Sequence, residues 1–101
     1  MEVLFHAQHD PMSDRLQRRA RQRVNALARR LGHAVDAIVR LDEDGPAHRV
    51  EITLHAPRRK SLVATAADRY AGTALSEALL RLEAQVETVR RKRLARRVTR
   101  A

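Results

Sequence analysis

Between Val35 and His55 apolar and polar residues alternate on both sides of a Gly-Pro turn, and a β-hairpin is the structure that such a pattern fits. Val35, Ala37, Val39 and Leu41 alternate with Asp36, Arg40 and Asp42; Val50, Ile52 and Leu54 alternate with Arg49, Glu51, Thr53 and His55. A period of two gives each strand one buried and one wet face. Glu43-Asp44-Gly45-Pro46 reads as the solvated turn between them, and Pro57 ends the second strand.

The hairpin needs partners, and the flanking sequence supplies them. Val3-Leu4-Phe5-His6-Ala7 is a short apolar run that stops at Asp10-Pro11 and reads as a first strand, with Phe5 in the core. Ser13 is a suitable N-cap, and Asp14 suits the positive end of a helix. Leu16, Ala20, Val24, Leu27 and Leu31 then recur at spacings of four and three until Gly32, a helix of about 19 residues near 29 Å long. After the basic turn Arg58-Arg59-Lys60, Leu62 to Ala67 form a fourth strand. Asp68 can cap a long second helix running to about residue 97, with Leu75, Ala78, Leu79, Leu82, Val86 and Val89 as its packing stripe. The order β-α-β-β-β-α implies an α+β fold. The first two strands pair in parallel through a right-handed helical crossover, an antiparallel meander follows, and both helices pack on one face of a four-stranded mixed sheet. With 101 residues the chain forms one domain, residues 1–101, of which about 94–101 is a basic helix end or tail.

Charge narrows the function. The net charge is +9, and its placement matters more than its size. Residues 13–32 hold seven arginines and one aspartate (+6), residues 81–101 hold seven arginines, one lysine and two glutamates (+6), and the remainder sums to −3. Only Lys60 and Lys92 are lysines; arginine presents a planar fork that grips phosphate oxygens in pairs. Arg19, Arg23 and Arg30 lie along one flank of the first helix's apolar stripe, whereas Arg18 and Arg29 point away from it. Arg81 and Lys92 share a flank of the second helix. If the two flanks adjoin, they form a basic groove suited to a phosphate backbone. Past Val89, arginines surround the axis, and Arg93 and Arg100 fall where the apolar stripe continues, so this end is expected to project beyond the sheet into water. Only Phe5 and Tyr70 offer aromatic faces, which disfavours sequence-specific reading of single strands and favours phosphate and 2′-hydroxyl contacts on folded RNA.

Other chemistries find little support. The absence of cysteine excludes disulfides, thiolate catalysis and cysteine-ligated metals, and fits a cytoplasmic protein. No window approaches the roughly 18 apolar residues of a membrane span. The histidines at 6, 9, 33, 48 and 55 form no HExxH pair, Asp42-Glu43-Asp44 lacks the later ligands of a calcium loop, and no glycine-rich phosphate loop or catalytic triad is present. We expect no catalytic residues, metal, cofactor or small-molecule substrate.

Ser13-Asp14-Arg15-Leu16 through Arg23-Val24 to Leu27 fits the pattern T-x-x-[IL]-x(6)-[KR]-[LF]-x-x-L, and Ala74-Leu75, Arg81-Leu82 and Gln85-Val86 match A-I-x(5)-K-L-x-x-Q-L, with the strand Val50 to His55 between them. In order and spacing, these motifs resemble the first helix, second helix and third strand of the ribosome hibernation factors, the short hibernation-promoting factor and ribosome-associated inhibitor A of the sigma-54 modulation protein family. The resemblance spans nearly the whole chain. It implies a fold similar to double-stranded-RNA-binding domains, and binding to the small ribosomal subunit at the decoding channel, where it silences translation under stress. The family's rRNA-contacting positions fall on Arg23, Arg81 and Lys92, with Arg19, Arg30, Arg90, Arg91 and Arg93 as further candidates. Ala84 and Thr88 stand where the family is usually basic, and Asp68-Arg69-Tyr70 falls two residues early, which implies a shortened fourth strand and an extended helix start. The resemblance also implies no C-terminal dimerisation domain. Two other readings stay open: a general binder of structured RNA, and a basic protein-interaction module that uses no RNA.

Overall fold

The computed structural model describes residues 1–8, 11–32, 34, 36–57 and 60–100, with side chains through residue 97. Its elements are β1 (Glu2–Ala7), α1 (Asp14–Leu31), β2 (Asp36–Asp44), β3 (Ala47–His55), β4 (Leu62–Asp68) and α2 (Ala71–Arg100). The sheet order is β1-β2-β3-β4, with β1 and β2 parallel and the other two pairs antiparallel. This is the mixed sheet expected from the element order, with α1 as the crossover. Asp10, Val35 and the Arg58-Arg59 turn lie outside the described residues.

One face of the sheet is dry. Val3, Ala37, Val39, Val50, Ile52, Leu54, Ala64 and Ala66 project from it into a core closed by Ala20, Val24, Leu27 and Leu31 of α1 and by Ala74, Leu75, Ala78, Leu79, Leu82 and Val86 of α2. Phe5 is half-buried against that core, and the Arg21 guanidinium lies 5.2 Å from its ring centroid. Met12, which no periodicity marked, is buried just ahead of α1.

The caps of α1 are where local chemistry places them. The Ser13 hydroxyl accepts the Leu16 N–H at 3.3 Å, and the Gly32 N–H donates to the Ala28 carbonyl at 2.9 Å. The hairpin turn is tighter than expected. Asp44 pairs with Ala47, so the acidic trio belongs to β2 and the loop is Gly45-Pro46 alone. Gly45 has φ +60°, and Pro46 cannot adopt positive φ, a combination that suits a type II′ turn and excludes I′.

The entry to α2 also differs. Asp68 ends β4, and its carboxylate accepts the Tyr70 N–H at 2.9 Å. The first helical bond runs from the Ala74 N–H to the Tyr70 carbonyl at 3.0 Å, so Tyr70 holds the cap position that we expected of Asp68. From Ala71, α2 runs 30 residues, about 45 Å, beyond the end expected near 97. It gives the molecule its long axis of 52 Å, against 23 and 20 Å across.

Candidate nucleic-acid interface

The two helices meet along a polar seam above the core. Arg19 of α1 donates to the Ser76 hydroxyl, Arg23 donates to Glu83 at 3.3 Å, and Arg30 pairs with Glu87 and reaches Glu83 at 3.8 Å. Arg90 stands one turn on from Glu87 and contacts the same carboxylate at 3.5 Å. The flank of α1 that carries Arg19, Arg23 and Arg30 therefore does adjoin α2, as the helical spacing suggested, but it faces Ser76, Glu83 and Glu87.

Arg81 and Lys92 lie on the opposite flank of α2. Arg81 is two residues from Glu83, a rotation of about 200°, which turns it to the sheet's edge. There the Arg81 guanidinium donates to the Thr65 carbonyl, and the Gln85 amide donates to the Val63 carbonyl at 2.7 Å. Both acceptors lie on the outer strand of the sheet, so these side chains cover an otherwise open edge. The basic groove expected between the Arg23 and Arg81 flanks is thus not formed. The width of α2 separates them, because a helix packed by its central stripe puts its two flanks on different neighbours.

Arg93 differs from expectation as well. It is half-buried, and its guanidinium donates at 2.6 Å to the Leu31 carbonyl in the last turn of α1. The stripe position that should have carried an apolar residue here caps a helix end with charge of favourable sign. The Arg100 side chain lies outside the described residues.

A second set of cations makes no such contacts. Arg91, Lys92, Arg96 and Arg97 are exposed on the distal part of α2, and Arg15, Arg18 and Arg29 are exposed on α1. None of the seven forms an ion pair or hydrogen bond among the described residues. Beyond Glu87 the chain contains no further carboxylate side chain, so the distal helix is a run of positive charge. Thr88 and Ala84 are exposed, and the Thr88 hydroxyl bonds back to the Ala84 carbonyl at 3.0 Å, so this stripe in the middle of the helix carries no cation. The paired arginines are not withdrawn from solvent. The side chains of Arg23, Arg30 and Arg90 are 51%, 43% and 43% exposed, and each guanidinium has more donors than its carboxylate partners occupy.

The open face of the sheet is of another character. In register across it stand Leu4, Ile38, Thr53 and Val63, beside a row formed by His6, Arg40, Glu51 and Thr65. His55 pairs with Asp36 at one end, and Arg49 lies 3.7 Å from Glu51 near the other. Charges of both signs mix there. Among the described residues no group of three potential metal ligands occurs, and no helix is long and apolar enough to cross a membrane; His9 and His33 lie outside those residues.

A four-stranded mixed sheet with two helices on one face, one of them long and basic, defines a recognisable class. The fold is similar to a ribosomal subunit interface protein from Coxiella burnetii, with a TM-score of 0.78 at 13% identity, covering 89% of this chain and 98% of that one. It is also similar to the Protein Y N-terminal domain of Thermus thermophilus, with a TM-score of 0.73 at 22% identity, covering 87% and 98%. Residues 3–94 match the family described as Sigma 54 modulation protein / S30EA ribosomal protein, and the chain belongs to that family. No significant match is found among curated proteins.

Proposed function

We propose that this chain is a ribosome hibernation factor: residues 1–101 act as one unit that binds small-subunit rRNA near the decoding and tRNA sites and inhibits translation under stress. The observation that carries this reading is the distal part of α2, where Arg91, Lys92, Arg96 and Arg97 stand exposed and form no ion pair among the described residues, on a fold of the S30EA family. Unpaired arginines on a rigid rod offer bidentate grips for phosphates at fixed spacing. The likeness to a ribosomal subunit interface protein supports the ribosome as partner and the cytoplasm as compartment.

Two tiers of cations then divide the work. Arg91, Lys92, Arg96 and Arg97 engage phosphate directly, with residues 94–101 as the basic end of the helix. Arg19, Arg23, Arg30 and Arg90 are held in position by Ser76, Glu83 and Glu87 and turn spare donors to the RNA. Arg81 and Arg93 secure the strand edge and the end of α1, so their removal affects the fold first.

Co-sedimentation of the protein with purified small subunits across a salt series tests the reading. The expected result is selective binding that competes with tRNA or mRNA, lost in the double variant Arg91→Glu and Lys92→Glu with unchanged thermal stability. Equal affinity for arbitrary RNA hairpins makes the protein a general structured-RNA binder, and absence of RNA binding makes it a protein-interaction module; either outcome overturns the proposal.

A further inference from the structure

Where α2 passes the end of the sheet it roofs a cavity of about 490 Å³. Its floor is Leu31, Ala56, Leu62 and Val89, from α1, the end of β3, β4 and α2, and its rim is Lys60, Lys92, Arg93 and Arg96. Among the described residues no carboxylate lines it. Lys60, Lys92 and Arg96 are exposed and form no ion pair among the described residues, while Arg93 is oriented by the Leu31 carbonyl.

The volume lies within the range of small-molecule sites, and the lining divides evenly between four apolar residues and four cationic ones. An apolar floor under four cations suits a ligand with a flat, weakly polar body and a concentrated negative tail. A phosphate monoester carries a charge of about −2 at neutral pH, so four cations match two or more linked phosphates better than one. A polynucleotide spreads one charge per nucleotide along its backbone and does not present this concentration.

We propose that the cavity binds a nucleoside polyphosphate, its base on the half-buried Leu62 and Val89 and its phosphates bridging Lys60, Lys92 and Arg96, beside the Arg93 guanidinium that the Leu31 carbonyl holds. The inference goes beyond the rRNA reading and does not depend on it. The floor side chains carry no hydrogen-bonding groups, so the site accepts purine bases without distinguishing them.

Calorimetric titration of the full chain with GTP, ATP, GMP, guanosine, tripolyphosphate and a short single-stranded RNA tests this directly. GTP and ATP should bind within about threefold of one another, because the floor offers neither base a hydrogen bond. GMP, guanosine and tripolyphosphate should each bind at least about tenfold more weakly, since each lacks part of the match to rim or floor. Lys60→Glu should weaken GTP binding by about tenfold or more and small-subunit co-sedimentation by much less. Three results overturn the proposal: no saturable nucleotide binding, tripolyphosphate binding as tightly as GTP, or equal losses of RNA and GTP binding in Lys60→Glu, which assign the cavity to the polynucleotide. Ribosome binding is measured without nucleotide, so failure here and failure of the hibernation reading are read from separate experiments.

Discussion

Gly32 ends α1 at φ +73° and ψ 153°, a backbone conformation that is essentially restricted to glycine. A Cβ built there meets nothing nearer than the Arg93 Nη1 atom at 3.9 Å, so the cost of Gly32→Ala is one of backbone strain with no steric part. That strain is about 1–3 kcal/mol. In a domain of this size each kcal/mol lowers Tm by roughly 4–8 °C, so a thermal melt of the variant should fall by at least about 4 °C. An unchanged Tm would show that the turn relaxes into another conformation. The role of Gly32 as a stop signal was legible because the apolar stripe ends one residue earlier. The role of Arg93 was not, since an arginine on the stripe reads as a helix end projecting into water, and the acceptor that draws it inward belongs to a helix 62 residues away in sequence.

The seam between α1 and α2 sets stability and polyanion binding against each other. Glu83 and Glu87 pair with Arg23, Arg30 and Arg90, in pairs exposed enough that each contributes less than about 1 kcal/mol. The double variant Glu83→Gln and Glu87→Gln should therefore lower Tm only slightly. It also frees cations toward RNA, and tighter RNA binding at fixed salt is the expected outcome. Weaker binding would mean that orienting the arginines matters more than freeing them. At this scale periodicity is legible in the sequence and orientation is not. Strands, helix stripes and the basic character of both helices follow from repeats of two and 3.6 residues. Which flank of α2 meets α1 follows from how the central stripe seats on the sheet, and no local pattern in residues 71–97 encodes it. Glu83 and Glu87 carry no signal of their own for the same reason: two glutamates four apart become conspicuous only once Arg23 and Arg30 of α1 converge on them beside Arg90.

At the scale of the whole molecule, the charge is sorted by face. The helical side carries seven exposed cations that form no ion pair among the described residues, whereas the open sheet face sets Arg40 beside Glu51 and Arg49 beside both Asp42 and Glu51. A polyanion approaching a particle 52 Å long and about 20 Å thick meets positive charge with few neighbouring carboxylates on the helical side and mixed charge on the sheet side. Neutralised phosphates release their counterions, so log affinity falls linearly with log salt, and removing one contacting cation reduces that slope by about one. Arg91→Gln should reduce both affinity and slope. Arg40→Gln, the same loss of charge on the sheet face, should change affinity by less than about twofold, since at physiological salt a charge beyond roughly 8 Å is largely screened. Equal effects of the two substitutions on the salt slope would mean that RNA responds to net charge alone, and that the sorting of cations onto the helical face has no part in recognition.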